Sequence, residues 1–160
     1  MRRLRLTLLL AAVGLLATGA IAGYVIAQSG GATVTRDALA QSTKVKGAKG
    51  KTLGLSRVTI PVGGTIALHH HEGTQVAYIQ SGVLSYTVKS GSVTVMSGPA
   101  DNPTVVRKIS GGKTGKIRAG QWIVEQPSTV HQAANHGSTK IVIYLSTLLR
   151  TGAPPSTPNS

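Results

Sequence analysis

The sequence predicts an all-β sandwich or barrel over residues 51–149 of a 160-residue chain. Three observations carry that reading. Beta-branched residues and glycine dominate after residue 50, apolar positions alternate in short runs, and Gly-rich turns separate those runs. Phe is absent and Trp122 is the only Trp, so the core is expected to be built from Val, Ile, Leu and Ala, with Trp122 as an anchor. A barrel of about 100 residues buries enough surface to fold alone, though with a modest margin.

The first segment is an address. Met1 to Arg5 carry three arginines, and Leu6 to Ala27 then run without a charge. A basic start followed by a long apolar stretch is the pattern of an export signal, with small-residue cleavage sites at Ala20-Ile21-Ala22 and Val25-Ile26-Ala27. The run of about 20 residues also suffices to span a bilayer as an N-terminal hydrophobic helix. Residues 1–27 are therefore expected to be a signal peptide or a membrane anchor. Either way the positive flank stays in the cytoplasm and residues 28–160 face outward, secreted or tethered by residues 6–27.

Residues 28–50 are rich in Gly, Ser, Thr and Lys with little apolar periodicity, and read as a linker with a short edge strand near Thr43 to Lys46. Strand signals follow at Leu55–Pro61, Thr65–His71 and Val76–Ile79. Ser81-Gly82 then turns the chain into Val83–Val88. Further signals lie at Ser92–Met96, Thr104–Ile109, Lys116–Arg118, Gln121–Glu125, Val130–Ala134 and Lys140–Leu148. Ser97 to Asn102, followed by Pro103, reads as a loop, and Ser110 to Gly115 as a turn. The tail, residues 150–160, holds Pro154, Pro155 and Pro158 and is expected to be disordered.

Composition removes several function classes. Without cysteine there is no disulfide framework, thiolate metal site or thiol nucleophile. The net charge of +13 suits a basic soluble surface, or attraction to anionic headgroups, cell-wall polymers or acidic ligands. No nucleic acid partner is expected, because stacking aromatics are nearly missing and the basic residues are scattered. Only four carboxylates are present, and Asp37 and Asp101 lie away from the histidines. A glycosidase-type carboxylate pair and a Ser-His-Asp triad are both unsupported.

The histidines are where chemistry concentrates. In a strand, His69 and His71 project to one face while His70 points to the other. Two imidazoles on an inward face can share one ion, with nitrogen–metal distances of about 2.0–2.1 Å. Gln75 stands where its carbonyl oxygen can reach the same ion, and His131 from a distant strand would add a third imidazole. Glu72 is the alternative carboxylate, but its place beside His71 turns it to the other face. His70 and His136 are expected to face water. Tyr78 and Tyr86 have polar tips able to line the cavity, although packing suits them as well. Gln126 and Gln132 are candidates to orient a ligand imidazole.

The spacing Gly63, His69-x-His71, Gln75, Gly82 resembles the first cupin motif, with Gln where that family usually has Glu. Gly120, His131, Asn135 is similar to the second. Pro127 lies four residues before His131 rather than five, and Ser128 takes a usual Gly position. The resemblance covers roughly Leu55 to Leu148 and implies a single jelly-roll β-barrel. It further implies a mononuclear site for a divalent transition metal (Fe, Mn, Ni, Cu or Zn) held by His69, His71, Gln75 and His131. A neutral amide at Gln75 leaves the ion one unit more positive than a carboxylate would. The function implied by resemblance is that of a metal-dependent dioxygenase, or else of a non-catalytic barrel that captures a small molecule at the cell envelope. A homodimer through barrel edges is also implied.

Overall fold

The computed structural model describes residues 24–25 and 32–159. The described residues form an all-β barrel of two antiparallel sheets. The apolar segment expected to be a signal, anchor or helix lies outside the described residues, apart from β1 (Tyr24–Val25), which pairs with Thr35 and Arg36.

The eight-stranded sheet also contains β2 (Thr35–Ser42), β3 (Lys51–Ile60), β5 (Gly73–Ser81), β7 (Ser92–Ser97), β8 (Thr104–Ser110), β10 (Gln121–Glu125) and β12 (Ile141–Arg150). Its order is β1-β2-β3-β12-β5-β10-β7-β8. The facing sheet has five strands: β4 (Thr65–His70), β6 (Val83–Ser90), β9 (Lys113–Arg118), β11 (Val130–Ala134) and β13 (Thr157–Pro158). They run in the order β13-β4-β11-β6-β9. Strand pairs that are neighbours in space but distant in sequence, such as β3 with β12 and β4 with β11, give the jelly-roll its crossovers.

Period-two alternation decides what is inside. Ile141, Ile143 and Leu145 of β12 meet Leu84, Tyr86 and Val88 of β6 in one cluster with Val58, Ile60, Ile79 and Ile123. Trp122 is not the anchor expected. Ile123 takes the inward position, so Trp122 lies on the outer face, half-exposed, with Nε1 donating to the Gly98 carbonyl at 3.3 Å.

Gly82 sits in the β5–β6 turn at a φ of 81°, a region that favours glycine, and a Cβ there would come within 2.8 Å of Ile141 Cγ1. Asn135 clasps the beginning of the first motif to the end of the second. Its backbone N–H donates to Gly64 O and its carbonyl accepts from Gly63 N. Its buried Nδ2 donates to Ile60 O and Thr139 O, at 3.0 and 2.9 Å.

Two segments differ from expectation. Within 28–50, the strand is Thr35–Ser42, eight residues long and earlier than expected, with only the two-residue β1 outside it at Thr35 and Arg36, while residues 43–50 form turns. An edge strand with one solvated face carries little apolar alternation, so its sequence resembles a tether. The expected disordered tail is ordered over residues 151–159. Thr157 and Pro158 pair with His70 and His69 on β4, and Asn159 N donates to Leu68 O at 3.0 Å. Proline already holds extended backbone angles, and the open edge of β4 offers the polar groups that such a segment can satisfy.

Candidate metal centre

His69 and His131 are Cα partners across the β4–β11 ladder. The register of β11 shifts at His131 on both sides, against β4 and against β6. A bulge at that point re-aims one side chain without moving the strand, and here it turns His131 into the cavity. His71 follows directly after β4 and keeps the alternation, so it faces inward with His69. All three rings are buried, and their ligand atoms lie within 4.8 Å of one another. Ring centroids are 4.8 Å apart for His69–His71, 4.3 Å for His69–His131 and 5.2 Å for His71–His131.

Each ring is oriented by a backbone carbonyl. Nδ1–H donates to Ala67 O from His69 (2.7 Å), to Pro155 O from His71 (2.8 Å) and to Thr129 O from His131 (3.2 Å). A carbonyl only accepts, so each Nδ1 carries the hydrogen and each Nε2 is left with a lone pair. Fixing the outer nitrogen in this way is what metal-binding imidazoles require. The donor chemistry thus fits a divalent transition metal.

Gln75 is also buried at the cluster. Its Nε2 donates to His71 Nε2 at 2.9 Å and to Glu125 Oε2, while its Oε1 is buried without a partner. Glu125 was not foreseen. It ends β10 directly opposite Gln75 and is 3% exposed. Glu125 Oε1 accepts from Tyr86 OH at 2.7 Å and lies 3.2 Å from His131 Nε2; Oε2 lies 3.6 Å from His71 Nε2. The available signal was alternation, since an inward Ile123 puts residue 125 inward too, and a buried carboxylate is informative wherever it occurs. Tyr86 joins the site, its ring stacked 5.0 Å from that of His131, whereas Tyr78 is exposed.

The other candidates fall outside. His70 Nδ1 bonds Asn159 Oδ1, Glu72 lies 3.5 Å from Arg150 Nε, and His136 is exposed. Gln126 and Gln132 are exposed and orient no histidine; Gln126 accepts from Thr74 instead.

Electrostatics follow from burial. Loss of solvent pushes His69 down to about 4, with neighbouring His131 adding to the shift. Burial likewise lowers His71, although Glu125 opposes it. For Glu125, burial alone would raise the carboxyl. Attraction to His131 and His71 when those rings carry a second proton, with hydrogen bonds from Tyr86 and Gln75, outweighs it and holds the group below the usual carboxylate range. Burial and Glu125 together raise Tyr86 well above its ordinary value, so it stays a donor.

The histidines and Glu125 line a cavity of about 50 Å³, which Ser156 and Arg36 also border. Arg36 has a buried Nε with no hydrogen-bond partner and forms no ion pair among the described residues. It also borders an outer groove of about 330 Å³, so it stands between that groove and the histidines.

Fold and site together define a cupin-type barrel with a buried three-histidine cluster. Among solved structures the chain is similar to a cupin-like protein from Thermotoga maritima, at 15% identity and a TM-score of 0.51, covering 80% of this chain and 77% of that one. It is also similar to the polyketide cyclase RemF of Streptomyces resistomycificus, at 13% identity and a TM-score of 0.56, covering 88% and 80%. A cupin superfamily protein from Desulfitobacterium hafniense matches at 13% identity and a TM-score of 0.51, covering 77% and 84%. Likeness at such identity establishes the cupin fold and leaves activity open. No protein-family model and no curated protein sequence matches the chain.

Proposed function

We propose that the chain is an extracytoplasmic metal-binding cupin with a mononuclear centre on His69, His71 and His131, and that its specific chemistry is that of a metal-dependent dioxygenase. The observation that carries the reading is the convergence of three buried imidazoles whose Nδ1–H groups are all tied to carbonyls, leaving three lone pairs within 4.8 Å. A bound divalent transition metal supplies Lewis acidity and, where redox-active, a conduit for electrons to dioxygen. The protein's own groups do the rest. The carbonyls of Ala67, Pro155 and Thr129 hold the rings in register, and the apolar barrel keeps bulk water out. The N-terminal export pattern supports the location outside the cytoplasm.

A second reading, a non-catalytic small-ligand binder at the cell envelope, is favoured by Arg36. A guanidinium whose buried Nε has no partner, bordering the histidine cavity, offers a seat for a carboxylate or another small anion.

The full chain, purified from whichever fraction of an exporting host holds it, is assayed for metal by elemental analysis, alone and as His69→Ala and His131→Ala. About one equivalent in the native protein, lost in both variants, supports the metal centre. Metal at the same low level in all three refutes it. Oxygen uptake with diketones and catechol-like compounds, lost when metal is removed, then separates the dioxygenase from the binder.

A further inference from the structure

The first motif lacks its carboxylate, because Gln75 stands where the family resemblance leads to Glu. A carboxylate is nonetheless at the site. Glu125 occupies the position directly across the β5–β10 ladder from Gln75, on the same inward face. Its two oxygens point at two different histidines, 3.2 Å from His131 Nε2 and 3.6 Å from His71 Nε2.

Those contacts pose a problem that a cation solves. In their neutral form His71 and His131 each spend their one hydrogen on a carbonyl, so both Nε2 atoms turn lone pairs toward a carboxylate that also has only lone pairs to offer. Acceptors facing one another with nothing between them repel, and a buried carboxylate with no arginine or lysine in ion-pair contact is costly; Arg36, in the same cavity, acts on Glu125 only from a distance. The separations are those of neighbouring ligands. Around an ion with bonds of about 2.1 Å, adjacent donor atoms sit about 3.0 Å apart at right angles and about 3.4 Å apart in a tetrahedron. Tyr86 and Gln75 donate to Glu125 from outside, as hydrogen bonds to a ligating carboxylate do.

We propose that Glu125 is the carboxylate ligand of the centre, completing His69, His71 and His131, and that Gln75 is a positioning residue that holds Glu125 through its amide. The negative ligand has thus crossed from one strand to its neighbour while staying at the same level of the barrel. This rests on the reading that the site holds metal. Binding at His71 Nε2 also breaks the Gln75–His71 hydrogen bond, so the Gln75 amide must reorient as the ion enters.

The sequence makes a direct test possible, because Glu72 and Glu125 are its only glutamates. In the full-length chain carrying isotopically carboxyl-labelled glutamate, NMR should show two side-chain carboxyl signals, assigned with Glu72→Gln. Titrating Zn(II) should shift the Glu125 signal far more than that of Glu72; substoichiometric Mn(II) should broaden Glu125 well before Glu72. This measurement needs no variant at the site.

Zn(II) competition with a chromophoric chelator supplies the second arm. Glu125→Gln should weaken binding by about 100-fold and Gln75→Ala by about tenfold. The exchange variant, Gln75→Glu with Glu125→Gln, should recover about tenfold or more over Glu125→Gln alone. If His131→Ala loses Zn(II) while Glu125→Gln binds like the native protein and its NMR signal is unmoved, Glu125 is not a ligand and the three-histidine centre still stands. If the native chain binds no Zn(II) or Mn(II), both readings fall together.

Discussion

Removing the chain beyond Thr151 should weaken metal binding far more than it weakens the fold. Such a truncation deletes the Pro155 carbonyl that accepts from His71 Nδ1, the Asn159 contact to His70 and the Asn159 N–H bond to Leu68 O. At about 1 kcal/mol net per hydrogen bond, the three together contribute roughly 3 kcal/mol. Ordering residues 152–159 costs backbone entropy, and the β13–β4 pairing and the partial burial of Ala153, Pro155, Ser156 and Thr157 offset that cost together with those bonds. The melting temperature of the metal-free protein should therefore move by only a few degrees. Metal affinity should respond differently. A ligating imidazole that loses its orienting partner typically costs 10- to 100-fold in affinity, or about 1.4–2.7 kcal/mol. The assay is Zn(II) competition against a chelator, run beside thermal melting on intact and truncated chains. Pro155→Ala is the control, since it keeps the carbonyl and should change affinity by less than about threefold. Affinity in the truncated chain equal to the intact chain would show that Pro155 does not orient His71, and would refute the reasoning.

Three other outcomes are expected from the geometry. In metal-free protein His69 is depressed to about 4, so its unfolded form binds a proton first as pH falls. Its contribution is complete above the unfolded value of about 6.5 and is lost between there and about 4, with His71 acting in the same direction. Melting temperatures should decline through that window, and a flat profile would contradict the buried neutral cluster. Gly73→Ala should cost several kcal/mol in urea denaturation, because the added Cβ would meet the backbone, 2.2 Å from Leu148 O. A midpoint unchanged from the native protein would mean that β5 and β12 pack less closely than described. Arg36→Gln should leave metal content intact yet weaken binding of a small carboxylate such as acetate by about tenfold or more in calorimetry. Equal acetate affinity in the two proteins would remove Arg36 from the ligand site.

The legible parts of this site were those encoded locally. Alternation alone placed His69 and His71 on one face and dismissed His70, and the glycine spacing brought His131 to them. Strands β5, β6, β10 and β11, which carry much of the site, were visible because each has a buried face and therefore a period of two. What escaped was long-range or half-solvated. Glu125 has no ligand spacing of its own; it matters only because β10 pairs with β5 in a register that sets it opposite Gln75, fifty positions earlier. Strand β2, covered by β1 only at Thr35 and Arg36, and the 151–159 segment lie at or next to sheet edges, where polar outer faces and prolines erase the pattern that betrays an inner strand. Trp122 was misjudged by its size, since pleat parity gave the inward place to the smaller Ile123.

The Asn135 clasp has a consequence for what the barrel can tolerate. It binds Gly63 and Gly64 to the end of β11, so the segments that carry His69, His71 and His131 are joined to each other without passing through the β7–β8 hairpin. The outer strand of that hairpin is the last in its sheet and leaves Val105 63% exposed. The loop at Gly98 to Pro103 is therefore a natural splice point. A reporter domain inserted there would ride on the rim of the barrel while the imidazoles keep their spacing, which turns a peripheral hairpin into a handle for following the centre.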